Sequence, residues 1–307
     1  MKHITALSDR KYLIYGVALI RSLNETTSIP ITIHYFCIDD ISYQILRTMK
    51  MPNVVPYPPS TLFNDENKQL VHIRQTDFQY LCWSLASVFT NHILMQNPEF
   101  DSVTYIDSDI YFHKDVSVLY EHFGSKECGI FRHRFLKPHE ESPYGKFNVG
   151  IVYFKNSPKG REVLNWWSDA VLYRKHPDFA TCGDQKYLDL FPQFCGAANI
   201  YIDDGIGHGA PWNWSEYNMA RIHEGIIVWR GQVQPLVFTH FSRFVYNIAA
   251  NTFSPHNGVY AGYTRNMKVY TDNPALYTMH ADYFEKLKAA NTNIENAVKN
   301  SSGDDRI

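Results

Sequence analysis

Apolar and polar positions alternate in blocks along the first half of the chain. Residues 3–7 form a short apolar run, and Tyr12, Gly16, Leu19, Ile20 and Leu23 then recur at helical spacing. Residues 31–38 read as a buried strand closed by Asp39-Asp40, with a helical stretch over 43–49. Residues 53–59 are Pro-rich and read as loop or strand edge. A long helical pattern covers 78–95, and 103–106 form another strand. Strand, helix, strand, helix, strand predicts an α/β layer fold, with helices flanking a mostly parallel central sheet.

The second half is less regular. Residues 148–154 read as a strand, and Ser157-Pro158 opens a helix through residue 173 with Pro158 in its first turn. Residues 183–191 read as a short helix, and 200–202 and 236–239 as strands. Glycines and aromatics fill 205–214, and Glu140-Glu141 reads as a solvated loop. Trp166-Trp167 lies in a helix that buries at least one of the two rings. Asn273-Pro274 starts a polar helix reaching residue 299, with Leu276, Met279, Tyr283, Phe284 and Leu287 on one stripe. Docking of that stripe on the body is the default; a membrane surface or a partner chain is the other reading. Residues 300–307 form a polar tail expected to fray. The pattern changes near 115–145, which predicts one domain over 1–272 in two halves, 1–114 and 115–272.

Composition narrows the class. The 307 residues are 45% hydrophobic and 20% charged, which excludes disordered and low-complexity chains. With 29 basic and 31 acidic residues, the chain lacks the basic footprint of general nucleic-acid binding. No apolar run reaches the roughly 18–20 residues that span a bilayer, and the N-terminus lacks the apolar core of a signal peptide. Cys37, Cys82, Cys128, Cys182 and Cys195 are odd in number, scattered and without a C-x-x-C pair. They read as reduced thiols of a cytoplasmic protein. The 21 Tyr, 19 Phe and 6 Trp serve either as core or as platforms for sugars and bases.

The chemistry concentrates in Val103-Thr104-Tyr105-Ile106-Asp107-Ser108-Asp109-Ile110-Tyr111-Phe112. A buried strand ends in two carboxylates, and residues i and i+2 of an extended chain face the same way. Asp107 and Asp109 thus project from the carboxyl edge of the sheet, where open α/β sheets bind ligands. Oxygen ligands favour a hard cation, Mg²⁺ or Mn²⁺, able to neutralise a diphosphate leaving group. The plainer alternative is a solvated turn or cap. Residues 235–239 lead as a strand into His240, which is either a third metal ligand or a histidine satisfied in an aromatic core.

Ordered segments extend this picture: Asp9-x-x-Tyr12 and Arg21-Ser22-Leu23 after the first strand, Asp107-Ser108-Asp109, Phe147-Asn148-Val149-Gly150, Gly183-Asp184-Gln185-Lys186-Tyr187-Leu188, Ala210-Pro211-Trp212-Asn213, and His240-Phe241-Ser242. Together they resemble the metal-dependent nucleotide-sugar glycosyltransferases of the GT-A fold. The nearest type is family 8, which includes glycogenin and bacterial lipopolysaccharide galactosyltransferases, and within it a group of bacterial nucleotide-diphospho-sugar transferases. The resemblance implies a Rossmann-like nucleotide half and an acceptor-side lobe. It places the metal on Asp107, Asp109 and His240, with Ser108 beside the donor. It assigns Thr5, Ala6 and Asp9 to the uracil edge and Tyr12 to base stacking, although Tyr12 also fits the apolar stripe of the first helix. Asn148 and Gly150 lie near the donor sugar, and Asp184 and Gln185 near the reacting centre, with Asp184 also suited to cap a helix. Family members follow the late histidine with glycine and lysine; here Arg243 stands in the cationic role. They also carry an arginine in the helix before the acidic pair, where this chain has Cys82-Trp83-Ser84, with Arg74 the nearest cation in sequence.

The implied activity moves a sugar from a nucleoside-diphosphate donor, a UDP-sugar, to a glycan or glycolipid hydroxyl in bacterial surface polysaccharide assembly. Retention is favoured over inversion, for which Asp184 would be the base. Contact with the inner membrane face, and a further domain or partner beyond the C-terminus, complete the expectations. A nucleotidyltransferase is the first rival, but Leu7-Ser8-Asp9-Arg10-Lys11 has no phosphate-loop glycine. A phosphatase would carry D-x-D on its first strand. A lectin would use Trp166-Trp167 and Trp212–Trp214 as platforms without needing the carboxylates. Of the aromatics, Tyr12, Trp83, Trp212, Trp214 and Phe241 are expected to surround the cleft, with the others in the core.

Overall fold

The computed structural model describes residues 1–135, 144–176, 179, 183–203, 205–256 and 267–303. Glu140-Glu141, Cys182 and the last four residues of the expected tail lie outside them. The first half runs β1 (Lys2–Ser8), α1 (Leu13–Thr26), β2 (Ile31–Cys37), α2 (Asp40–Met49), β3 (Val54–Tyr57), α3 (Lys68–Thr76), α4 (Phe78–Gln96) and β4 (Ser102–Ile106). Then follow β5 (Ile110–Phe112), α5 (Ser117–Phe123), β6 (Cys128–Arg132), β7 (Phe147–Lys155), α6 (Pro158–Leu172) and α7 (Phe191–Cys195). The chain closes with β8 (Ile200–Ile202), β9 (Gly207–Gly209), β10 (Ile226–Trp229), β11 (Gln232–His240), β12 (Val245–Asn247), β13 (Thr252–Ser254), α8 (Met267–Asp272) and α9 (Pro274–Gly303).

The main sheet has seven strands in the order β3-β2-β1-β4-β7-β6-β8. β1, β2, β3 and β4 pair in parallel, while β7 runs against both β4 and β6. The expected α/β fold with a mostly parallel sheet is what the chain adopts. Both faces are covered, which is why its strands read as continuous apolar runs. Side chains alternate between two cores: Ile33, Tyr35 and Cys37 of β2 face one, and Phe36 the other. Residues of α1, α2 and α9 build the first core, and residues of α4 and α6 the second.

Several expectations shift in detail. The Pro-rich 53–59 segment holds the edge strand β3, where Pro56 needs no ladder partner on its outer side. The short helix expected over 183–191 is a 3₁₀ turn, Gln185–Leu190, followed by α7. The C-terminal helix extends to Gly303, and its stripe docks on the body, with Tyr283, Phe284 and Leu287 in the core shared with α1. Trp167 is fully buried and Trp166 lies against Phe194, ring centres 4.1 Å apart. Among the described residues no helix is long and apolar enough to cross a membrane. Cys37, Cys82, Cys128 and Cys195 are free thiols.

A second sheet sets the site. It holds β10, β11 and β5, with β9 also paired to β11. β5 leaves the main sheet through the turn after β4 and pairs antiparallel with β11, which sets His240 opposite Ile110. Two acidic residues and a histidine more than 130 positions apart are thereby brought together.

Candidate active site at the β1–β4 crevice

Strand order reverses beside β1: β2 lies on one side and β4 on the other. Ligands of open α/β sheets sit at such a switch point, outside the carboxyl ends of the strands. A cleft of about 550 Å³ opens there, a size suited to a small-molecule ligand. Asp9, Tyr12, Asp107, Asp109, Asp184 and His240 all line it.

The acidic pair is carried by a turn rather than by extended chain, with the Ile110 N–H donating to the Asp107 carbonyl at 3.1 Å. The carboxylates converge through this turn and through β11, not through strand alternation. His240 Nε2 lies 2.9 Å from Asp109 Oδ1 and 3.7 Å from Asp107 Oδ2. One ligand atom from each of the three residues falls within 4.8 Å of the others. Phe241 N–H bonds the Asp109 carbonyl at 2.9 Å, and Asp107 N–H the Gly150 carbonyl at 2.8 Å, so three segments are locked around the cluster.

Asn148 orients the imidazole. Its Oδ1 accepts the Gly150 N–H at 2.9 Å and lies 3.0 Å from His240 Nδ1. An oxygen in that place requires the proton on Nδ1, which leaves Nε2 as the face toward the carboxylates. Its Nδ2 donates to Gln185 Oε1 at 2.9 Å, and Gln185 Nε2 donates to the Tyr144 carbonyl at 2.8 Å. Outer-shell hydrogen bonds of this kind are how proteins fix the tautomer of a histidine that is to hold a metal. A Cβ on Gly150 would lie 2.6 Å from Asn148 Oδ1 and 2.8 Å from His240 Nδ1, so only glycine leaves room there for the Asn148 amide to meet the His240 ring. Two carboxylates and an oriented imidazole are a donor set suited to Mn²⁺ or Mg²⁺.

The electrostatics agree. Burial alone would lower the pKa of His240, yet Asp109 and Asp107 raise it above the usual imidazole value. Asp107 is raised by burial, opposed by His240 and reinforced by Asp109. The Tyr105 hydroxyl donates to Asp107 Oδ1 at 2.7 Å. Asp184, 4% exposed, is raised well above the carboxylate range by burial first and then by the charge of Asp107.

The remaining sequence candidates divide. Tyr12 is 46% exposed and precedes α1 rather than joining its buried stripe. Its N–H bonds Asp9 Oδ1 at 2.8 Å. Arg243 lines the cleft with a left-handed backbone, φ 59°. Ser108 also borders the cleft, but its hydroxyl donates to the Leu7 carbonyl at 2.7 Å and sits 3.0 Å from Tyr35 Oη, so it braces the turn. Thr5 and Ala6 are fully buried within β1, and Thr5 pairs with Thr90 at 2.7 Å. β1 runs to Ser8, so Leu7 and Ser8 reach the cleft instead. Trp83 and Trp212 line the cleft, with Trp212 edge-on to His240 at 5.2 Å. Trp214 and Phe241 do not: Trp214 fills the space beside Gly209, and Phe241 stacks on Tyr283 at 3.6 Å. Arg74 lies over Phe63, away from the cleft. Lys11, His133 and Phe135 line the cleft without having been singled out in the sequence. An exposed lysine in a loop has no pattern to mark it, and the other two reach the site only through the pairing of β6 with β7.

No protein-family model matches the chain. It is 30% identical over 259 residues to the uncharacterized protein YfnF of Bacillus subtilis (strain 168), covering 79% of this chain and 81% of that protein. The chain belongs to the YfnF family. Among solved structures, apo mouse xyloside xylosyltransferase 1 superposes with a TM-score of 0.51 at 14% identity, covering 78% of this chain and 97% of that one. The galactosyltransferase LgtC, in complex with donor and acceptor sugar analogs, matches at 0.51 and 14%, over 88% of this chain and 95% of LgtC. This YfnF relative therefore has the GT-A fold.

Proposed function

We propose that the protein is a metal-dependent glycosyltransferase that moves a sugar from a UDP-sugar to a hydroxyl of a glycan or glycolipid, in assembly of a bacterial surface polysaccharide. The observation that carries this reading is the convergence of Asp107, Asp109 and His240 at the β1–β4 switch point, with Asn148 holding the histidine. In this reading residues 1–114 bind the nucleotide and 115–272 the donor sugar and acceptor. Tyr12 offers its exposed ring to the base, and the Asp9 carboxylate accepts the imide N–H. Asp107, Asp109 and His240 hold Mn²⁺ or Mg²⁺, which when bound supplies charge for the departing diphosphate. Arg243 adds a guanidinium on the same side. Asp184, Gln185 and Asn148 position the sugar. The amide chain consumes the hydrogen bonds of Gln185 and Asn148, which suits them to positioning rather than to nucleophilic attack. Rate enhancement then comes from positioning and charge placement, and retention of configuration follows the family resemblance.

A thermal-shift panel of nucleotide sugars tests this, with Mn²⁺ and with chelator. A ligand that binds only the folded state raises the Tm according to its affinity, by about 2.7 kcal/mol of stability at one hundred times its Kd. The expected result is a shift with UDP-sugars that chelator removes. A shift with glycan alone, independent of nucleotide and metal, would establish a lectin instead.

A further inference from the structure

Tyr105 stands two residues before Asp107 on β4, the strand between β1 and β7. Its backbone pairs on both sides, with Thr5 of β1 and with Val152 of β7. Its ring is 4% exposed, packs in the core shared with α4, and borders the cleft. The sheet therefore fixes where the hydroxyl sits. It donates to Asp107 Oδ1 at 2.7 Å, its one hydrogen bond among the described residues. Asp107 is held as firmly: its N–H bonds the Gly150 carbonyl at 2.8 Å, and its own carbonyl accepts the Ile110 N–H at 3.1 Å. Rotation of the carboxylate is the freedom that remains, and Tyr105 takes it. Oδ1 is turned to the hydroxyl, and Oδ2 lies 3.7 Å from His240 Nε2.

A carboxylate grips a cation with two oxygens only when both face it, and Asp107 offers the cluster one. That restriction bears on which cation fits. Ca²⁺ gathers about six to eight oxygens and readily takes a carboxylate by both of its oxygens. Mg²⁺ demands near-octahedral geometry, keeps several waters and needs few protein ligands, and Mn²⁺ shares the octahedral preference. We propose that Tyr105 is a specificity-determining residue of the metal site: by holding Oδ1 of Asp107 it keeps that carboxylate to one ligand oxygen and sets the site against Ca²⁺. This rests on the metal-dependent reading above and adds the cation that the site rejects. Tyr105 acts through Asp107 and is a positioning residue.

The test displaces bound Mn²⁺ with Mg²⁺ or with Ca²⁺, following the free Mn²⁺ by electron paramagnetic resonance. In the native protein Ca²⁺ is expected to need about 10- to 100-fold the concentration of Mg²⁺, the range over which partners behind metal ligands act. Tyr105→Phe keeps the ring and loses only the oxygen, and is expected to bring that ratio below about 3. Tyr105→Met removes the donor with a side chain of another shape and should do the same. Circular dichroism of the same samples reports whether each variant has folded. A merely structural role would weaken all three cations alike and leave the ratio where it was. Ca²⁺ displacing Mn²⁺ as readily as Mg²⁺ does from the native protein, or a ratio unaltered in the folded variants, overturns the proposal and leaves the metal site standing. Failure of Mn²⁺ to bind the native protein overturns both.

Discussion

At the scale of the residue, the site is an arrangement of atoms whose roles depend on one another. The sequence singled out Asp107 and Asp109 because two like charges after a buried strand call for a cation, although a solvated turn or cap would read the same way. It could not announce Asn148 as the orienter of His240. That link requires β11 to pair with β5 at one register, and register is a property of the folded sheet. Tyr12 was ambiguous for a different reason: it fits the helical stripe but falls one residue before the helix, and a boundary shift of one residue turns core into surface. Asn148→Ala removes the acceptor that fixes the Nδ1 proton and is expected to weaken Mn²⁺ binding by about 10- to 100-fold, with little change in fold. A Mn²⁺ titration followed by circular dichroism of the same samples checks both halves of that statement. Proton and metal also compete for His240 Nε2. Because the two carboxylates raise the pKa of His240, apparent Mn²⁺ affinity should fall as pH drops through neutrality, and His240→Asn should flatten the dependence.

At the scale of the element, the turn bearing the acidic pair is held from beneath. Gly16 in α1 lies so close to Tyr35 that a Cβ would come within 1.8 Å of its hydroxyl oxygen. That hydroxyl donates to Ser8 at 2.8 Å and lies 3.0 Å from Ser108, tying together the ends of β1, β2 and β4. Gly16→Ala should therefore cost more than the overpacking penalty of about 1–3 kcal/mol would indicate for stability alone. It should also weaken metal binding, because Tyr35 can yield only by releasing Ser108. Denaturant unfolding together with a Mn²⁺ titration measures the two effects separately. On the other flank α9 supports the loop that carries Arg243: Phe241 stacks on Tyr283, and Phe244 lies 5.3 Å from the same ring. The apolar stripe of this helix was visible in the sequence, but not what it supports. Tyr283→Ala is expected to destabilise the fold by about 3 kcal/mol, with a larger proportional loss in nucleotide affinity than in metal affinity.

At the scale of the whole molecule, the parallel half of the sheet was the most legible part. Strands covered on both faces show as apolar runs, and the helices between them show as 3.6-residue stripes. Much of the second half was not. β5, β9, β12 and β13 are three residues long, too short to carry a period; β5 and β9 hold their places through β11, distant in sequence, and β12 and β13 through each other. The chain also buries histidines that do not line the cleft. Burial holds His280 at about 4, and burial aided by the charge of His3 holds His34 at about 4. A histidine that is neutral when folded but protonates near 6.5 when unfolded stabilises fully above 6.5, and that contribution is lost as pH falls toward 4. Each such residue should remove about 2 kcal/mol at pH 5. Tm should therefore decline between pH 7 and pH 5, and His34→Gln should lessen the decline.

The central claim is that Asp107, Asp109 and His240 form a metal site that a nucleoside diphosphate completes. Electron paramagnetic resonance of free Mn²⁺ tests it most directly, by titrating the ion into the protein with and without UDP. The account predicts one site whose affinity rises at least about tenfold with UDP, a coupling that must be reciprocal, and its loss in Asp109→Ala. Mn²⁺ binding that is indifferent to UDP, or equal in Asp109→Ala, would contradict it.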